Sequence, residues 1–404
     1  MLLRFSTYLL LSGFSLAFNP EEDNDAADLI SFFKYPVEKH YVTTDDGYTI
    51  EMQRIPRGRD ERSIDGCSTR PVVIFMHGLL SSCIQYIINL PSQSAGFVFA
   101  DAGFDVWLAN IRGTKYGRNH THLKTSDTQF WNFSLYEHSH YDLRQQVEYV
   151  LDITKQESLF YVGHSQGTTV MFQRLAEADE QWQKKIRAFF ALAPSGGFFK
   201  PYYPFKLLEN NLIQGFIQIV LEGHLGVYPI AAPAFITDAL AKICSLRQLE
   251  HFCAYWVGFS FGPENLAQIN DSRTPVYLKH FPAATSTLNL LSWAQVFKYH
   301  ELRRLDLGKT KNLEVYGQPE PPSFRYQNIQ AASYMFFSKD DLIADEDDVK
   351  NVILKNYGPG LKESFDLDHF THFDFAIGLR ATDEVYRPII NIIYDKIKAE
   401  GCNL

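Results

Sequence analysis

The chain has 404 residues, 46% apolar and 21% charged, a globular balance that excludes wholesale disorder. Thirty-eight basic against 47 acidic residues give −9, which argues against a nucleic-acid binder, since that needs a basic face. At about 150 residues per domain, the length admits two or three domains, or one large domain with an insertion.

Residues 1–18 read MLLRFSTYLLLSGFSLAF. Arg4 precedes an apolar run, Ser15-Leu16-Ala17 fits a small-residue cleavage site, and acidic residues follow. This predicts a secretory signal peptide over residues 1–17, too short to span a bilayer. No later stretch of about 18 residues stays apolar, so no membrane span is indicated. Secretion makes disulfides possible. The five cysteines are Cys67, Cys83, Cys244, Cys253 and Cys402, so at least one stays unpaired within the chain. Cys244 and Cys253 lie close enough for a bridge to close a short loop. Sequons at Asn119, Asn132 and Asn270 fit the same route.

His40 to Ile55 alternates around Asp46-Gly47 and predicts a β-hairpin. Short apolar runs follow at Pro71–Met76, Phe104–Leu108, Leu159–Val162, Ile186–Leu192 and Ala332–Phe337. Such runs suit strands buried on both faces. Helical spacing falls on Tyr141–Ile153, Gln166–Ala178 and Asp383–Lys398. Strands alternating with helices predict an α/β fold with a mostly parallel sheet. About 140 residues separate the last two runs, far more than a crossover needs. The excess is an insertion, residues 196–320, rich in aromatic, Leu and Ile residues. It divides the core into 18–195 and 321–404.

Gly163-His164-Ser165-Gln166-Gly167 is a G-x-S-x-G string between a predicted strand and a predicted helix. That context marks a nucleophile elbow, a sharp turn that lifts the Ser165 hydroxyl above the sheet and aims the Gln166 N–H at a forming oxyanion. A serine nucleophile needs a base and a group to orient it, and on this fold they follow in the order Ser, Asp, His. Asp340, Asp341 and Asp345 compete for the acid, just past the Ala332–Phe337 strand. His369 and His372 compete for the base. The second oxyanion donor comes from the loop His77-Gly78-Leu79-Leu80, with Leu79 as donor. Glu137-His138-Ser139-His140 reads as a solvated face rather than a metal site. The acidic run from Asp345 reads as a helix cap rather than a calcium loop.

Over nearly the whole mature chain these strings resemble the acid lipase family, which includes gastric and lysosomal acid lipases. The resemblance rests on Tyr35-Pro36, Asp45-Asp46-Gly47-Tyr48, His77-Gly78-Leu79-Leu80, Asn110-Ile111-Arg112-Gly113, the elbow, Tyr141-Asp142-Leu143 and Tyr316-Gly317-Gln318, in the family's order. It implies an α/β-hydrolase core with a largely helical cap and lid in the insertion. It assigns the acid to Asp341, which heads Asp341-Leu342-Ile343-Ala344-Asp345, and the base to His372, which precedes Phe373-Asp374-Phe375. It places the oxyanion donors on Leu79 and Gln166 and a cap disulfide on Cys244 and Cys253. Ser338-Lys339 stand where the family usually has two glycines, and Asp340 duplicates the acid.

The implied reaction is hydrolysis of neutral-lipid esters, triacylglycerol or cholesteryl ester, through an acyl-enzyme. It needs no cofactor and no metal. The partner is a lipid–water interface, touched peripherally, and the location is extracellular or lysosomal. Work at acidic pH is implied by the family alone. The rivals are a soluble short-chain carboxylesterase and a non-catalytic lipid carrier.

Overall fold

The computed structural model describes residues 21, 24–60, 69–197, 229–230, 233–246, 249–259 and 268–401. The expected signal peptide, Cys67 and Cys402 lie outside them, as does much of the insertion.

One sheet carries the core. Its main strands lie in the order Glu38–Thr43, Tyr48–Ile55, Asp105–Ala109, Val72–Met76, Leu159–His164, Ile186–Leu192, Ser333–Phe337, Leu361–Asp366. The first pair is the expected hairpin, with Gly47 at φ 98° in its turn. Tyr48–Ile55 runs antiparallel to Asp105–Ala109, and every later pairing is parallel.

Val72–Met76 shows why the runs are unbroken. All five side chains are buried, yet they serve two cores. Val73 and Phe75 join Phe97, Phe99, Ile389 and Ile393 on one face. Val72, Ile74 and Met76 join Val147, Val150 and Phe172 on the other. Helices cover both faces, so the period-two alternation of a half-exposed strand has no cause here. Each such side chain contributes about 1.5–3 kcal/mol by leaving water.

The three expected helices are present as Arg144–Thr154, Gln166–Glu177 and Arg387–Ala399. Two of them begin with a π-helical turn, at His138–Leu143 and Thr382–Tyr386. The first corrects the solvated reading of residues 137–140. His138 sits in the widened turn, fully buried, with its ring 5.3 Å from that of Phe133. His140 is partly exposed and stacks on Tyr136. Among the described residues no group of three or more His, Cys, Asp or Glu could hold a metal. The Leu361–Asp366 strand escapes sequence reading because its residues (LKESFD) lie mostly exposed at the sheet edge and form no apolar run.

Several distant strings meet in one ion network. Arg112, 1% exposed, donates to Asp142 from Nε at 2.8 Å and to Asp46 in the hairpin turn from Nη2 at 2.9 Å. The guanidinium also lies 4.0 Å from the ring of Tyr48.

Between Leu192 and Ser333 the described residues include helices Ala234–Cys244, Glu250–Phe259, Thr274–His280, Thr287–Tyr299 and Lys309–Tyr316. Cys244 and Cys253 form a disulfide that ties the first two together. Cys83 is buried and free.

Candidate active site

Ser165 occupies the turn between the Leu159–His164 strand and the Gln166–Glu177 helix. Its φ of 52° and ψ of −121° lie in a region L residues rarely adopt. Such a conformation costs about 1–3 kcal/mol and persists only when neighbours enforce it. They do. Ser165 N–H donates to Leu192 (3.0 Å), and the Ser165 carbonyl accepts from the N–H and hydroxyl of Thr168 (2.8 and 2.7 Å). Both string glycines sit where no side chain fits. A Cβ on Gly163 would lie 2.7 Å from the Gly167 carbonyl oxygen, and one on Gly167 would lie 2.3 Å from that of Met76.

The Ser165 hydroxyl meets His372 Nε2 at 2.7 Å. The other ring nitrogen, Nδ1, donates to Asp341 at 2.9 and 3.0 Å. Asp341 is fully buried, His372 is 4% exposed and Ser165 8%. Asp341 Oδ1 also accepts from the N–H groups of Ile343 (2.9 Å) and Ala344 (2.8 Å). These two donors fix the carboxylate's orientation towards the ring.

The two competing carboxylates have other partners. Asp340 bonds His369 Nδ1 at 2.9 Å, and the His369 side chain is 59% exposed. Asp345 caps the short Glu346–Asp348 helix by accepting from Asp347 N–H. A second Asp–His pair, with its histidine exposed and its carboxylate largely buried, thus runs beside the first.

His164 is a residue that sequence reading left without a role. Its Nε2 donates to the His372 carbonyl at 2.7 Å, fixing the backbone of the base. Burial pushes its pKa down to about 3, so it stays neutral. Asp374 braces the same loop by accepting from Thr371 N–H at 2.7 Å, and burial raises its carboxyl to about 6.

The loop carrying Leu79 closes on the elbow. A Cβ on Gly78 would stand 3.2 Å from Ser165 Cβ, tighter than most contacts, so Gly lets the loop approach. The Gly78 N–H is taken by Gln85 Oε1 (3.2 Å), and Leu79 is the next donor along. Gln166 opens its helix, where backbone N–H groups have no intrahelical acceptor.

An apolar cavity of about 650 Å³ opens beside these groups. Leu79, Phe281 and Phe373 line it from the catalytic side, and Ile243, Phe252 and the Cys244–Cys253 bridge from the insertion. That volume falls within the range of about 300–1,000 Å³ typical of small-molecule sites. Of the sequons, Asn119 and Asn132 are exposed, while the Asn270 amide donates to Gln93.

Residues 26–90 match a partial alpha/beta-hydrolase lipase region, and residues 71–374 match the alpha/beta hydrolase fold. The chain is 37% identical to Lipase lipl-5 of Caenorhabditis elegans, covering 93% of this chain and 94% of that one. It is 35% identical to gastric triacylglycerol lipase of Bos taurus (95% and 94% covered). It is also 35% identical to lysosomal acid lipase/cholesteryl ester hydrolase of Macaca fascicularis (93% and 92%). The crystal structure of a putative lipase from Sulfolobus solfataricus shares the fold, with TM-score 0.56, 14% identity and coverage of 89% and 99%. A serine held in a strained elbow, hydrogen-bonded to a buried His–Asp pair within this fold, accords with those likenesses, and the chain belongs to the acid lipase family of α/β-hydrolases, a family of carboxylic ester hydrolases.

Proposed function

We propose that the protein is a lipase that cleaves neutral-lipid esters through a Ser165 acyl-enzyme. The observation that carries this is the continuous hydrogen-bonded line Ser165–His372–Asp341 at the edge of an apolar cavity. Ser165 attacks the ester carbonyl as His372 Nε2 takes its proton. Asp341 holds the imidazole with Nδ1 protonated and stabilises the cation that forms. The N–H groups of Leu79 and Gln166 receive the oxyanion, each donor worth about 2.7–4 kcal/mol in such sites. His372 returns its proton to the leaving alcohol. A water deprotonated by His372 then frees the fatty acid.

Residues 196–320 act as a cap that shelters the acyl chain. Each methylene buried there adds up to about 0.8 kcal/mol of binding, which favours long chains. Ile243 and Phe252 line the cavity yet are 49% and 60% exposed, and with Phe235, 73% exposed, they give the cap an apolar face for a lipid surface. Triacylglycerol or cholesteryl ester as substrate, action at acidic pH and a secretory destination, extracellular or lysosomal, follow the gastric and lysosomal relatives.

The test is fatty-acid release by the purified protein and Ser165→Ala. Emulsified triacylglycerol, cholesteryl ester and a soluble short-chain ester are compared from about pH 4 to 8, to bracket a histidine base. Ser165-dependent release from an emulsion, fastest below neutrality, supports the proposal. Turnover of the soluble ester alone makes the protein an esterase, and undiminished turnover by Ser165→Ala overturns the mechanism.

A further inference from the structure

Gln166 has a second life through its side chain. Its amide oxygen, Oε1, accepts two buried hydrogen bonds, from Trp293 Nε1 at 2.8 Å and from Asn289 Nδ2 at 3.0 Å. Both donors lie on the Thr287–Tyr299 helix of the insertion, four residues apart and so on one helical face. The indole nitrogen can only donate, which dictates that the oxygen of Gln166 faces it. Asn289 completes the arrangement by donating also to Thr285 Oγ1 at 2.8 Å. Gln166 is 1% exposed, Asn289 0% and Trp293 7%, so water offers these groups little alternative.

The same stretch of the insertion reaches the other half of the oxyanion site. Ala283 N–H donates to the carbonyl of Leu80, one residue beyond Leu79, at 2.6 Å. The stretch is itself anchored to the core. Ser286 caps the helix by accepting from Asn289 N–H at 3.0 Å, while its hydroxyl donates to the Phe133 carbonyl at 2.5 Å. Ala284 packs with Tyr48, Phe130, Trp131 and Phe133.

We infer that residues 283–293 form a bracket that presets the oxyanion site, with Asn289 and Trp293 as positioning residues acting through Gln166. This rests on the Ser165 acyl-enzyme reading. Preorganisation is what gives oxyanion donors their effect, because a donor that must reorient during reaction loses most of its advantage. The backbone N–H of Gln166 stays in place under any substitution there. What the side chain adds is a fixed pitch for the first helical turn. The bracket therefore acts on the transition state rather than on substrate binding or on the base.

The experiment is a double-mutant cycle on a soluble short-chain ester, with kcat expressed per titrated active site. Trp293→Phe removes one donor and keeps most of the ring. Gln166→Met removes the acceptor, keeps the bulk and keeps the backbone N–H. Either change alone should lower kcat by about fivefold to tenfold, the size of one or two net hydrogen bonds, with KM within about twofold and the base's apparent pKa unmoved. In the Gln166→Met background, Trp293→Phe should change kcat by less than about twofold, because the partner is already gone. Equal losses in both backgrounds, or a loss confined to KM, would overturn the bracket. Asn289→Ala serves as the second donor variant, with the same expected non-additivity. If Ser165→Ala keeps its turnover, the underlying acyl-enzyme reading fails instead, whatever the cycle gives.

Discussion

Replacing Asp341 with Asn changes little in shape and, by the geometry around it, reverses a tautomer. Oδ1 of Asp341 accepts from two backbone N–H groups, those of Ile343 and Ala344. In Asp341→Asn these donors hold the amide oxygen at that position. The amide nitrogen then stands where Oδ2 is now, 2.9 Å from His372 Nδ1. An amide nitrogen donates and does not accept. The amide oxygen at the Oδ1 position stays 3.0 Å from Nδ1 but is a neutral acceptor, and the amide N–H facing Nδ1 favours the tautomer with the proton on Nε2, which lies 2.7 Å from the Ser165 hydroxyl. A protonated Nε2 cannot take the serine proton. Asp341 is fully buried, so water is poorly placed to relieve the mismatch. The expected loss is about 10⁴-fold in kcat, or ~5.5 kcal/mol, the size found when a triad aspartate becomes its amide. Asp340→Asn is the matched control. It alters a contact to His369, whose side chain is exposed and which stands outside the Ser165–His372–Asp341 line, and should change kcat by less than about threefold. Steady-state turnover of a soluble chromogenic ester by both variants decides the matter. A larger loss in Asp340→Asn than in Asp341→Asn would refute the assignment of the acid.

Removing Asp142 leaves Arg112 buried with one carboxylate fewer, so Asp142→Ala should destabilise the fold by about 3–5 kcal/mol, read as a lower urea midpoint. The Cys244–Cys253 bridge closes a loop with a sequence separation of nine, worth ~2.5 kcal/mol in chain entropy, and it walls the cavity. Replacing both cysteines with serine should lower kcat/KM for long-chain esters more than for short ones, and an unchanged ratio would separate the bridge from acyl binding. Burial pushes His77 and His280 down to about 4 and His164 to about 3. An unfolded histidine titrates near ~6.5, so below that pH the unfolded chain gains protons these three refuse. Stability should fall as the pH drops from about 6.5 towards 4, by up to ~1.4 kcal/mol per unit per histidine. Asp142 and Asp374, both raised to about 6 by burial, oppose this, because their protonated folded forms gain stability as pH falls through that value. Three histidines outweigh two carboxylates, so the denaturation midpoint should be lower at about pH 4.5 than at 6.5, and a higher midpoint would contradict the balance.

What was legible in the sequence is what the backbone forces locally. Val72–Met76 and Leu159–His164 announce buried strands because both faces of the sheet are covered, which leaves an apolar run no polar positions to interrupt it. The elbow announces itself because Gly163 and Gly167 have no room for a Cβ, a demand that reaches the sequence directly. The choice between Asp340 and Asp341 was different. Position alone leaves it open and only the family resemblance favours Asp341, because adjacent residues on a loop differ by the partner each meets and not by spacing. Both carboxylates are largely buried in the structure, and what separates them is the partner: Asp340 meets the exposed His369 and Asp341 the buried His372. His138 misled for a related reason, since a π turn rotates a residue inward without any change in the local composition that suggested a surface. The contacts of Gln166 were illegible altogether. Trp293 lies 127 residues away, and nothing in the i, i+4 spacing of Asn289 and Trp293 says which side chain they meet. Local demands such as a tight turn or a buried strand are written in neighbouring residues. The meeting of Gln166 with Asn289 and Trp293 is written in a long-range packing that only the folded chain expresses, and on the proposed bracket a substitution as mild as Trp293→Phe should be felt in kcat.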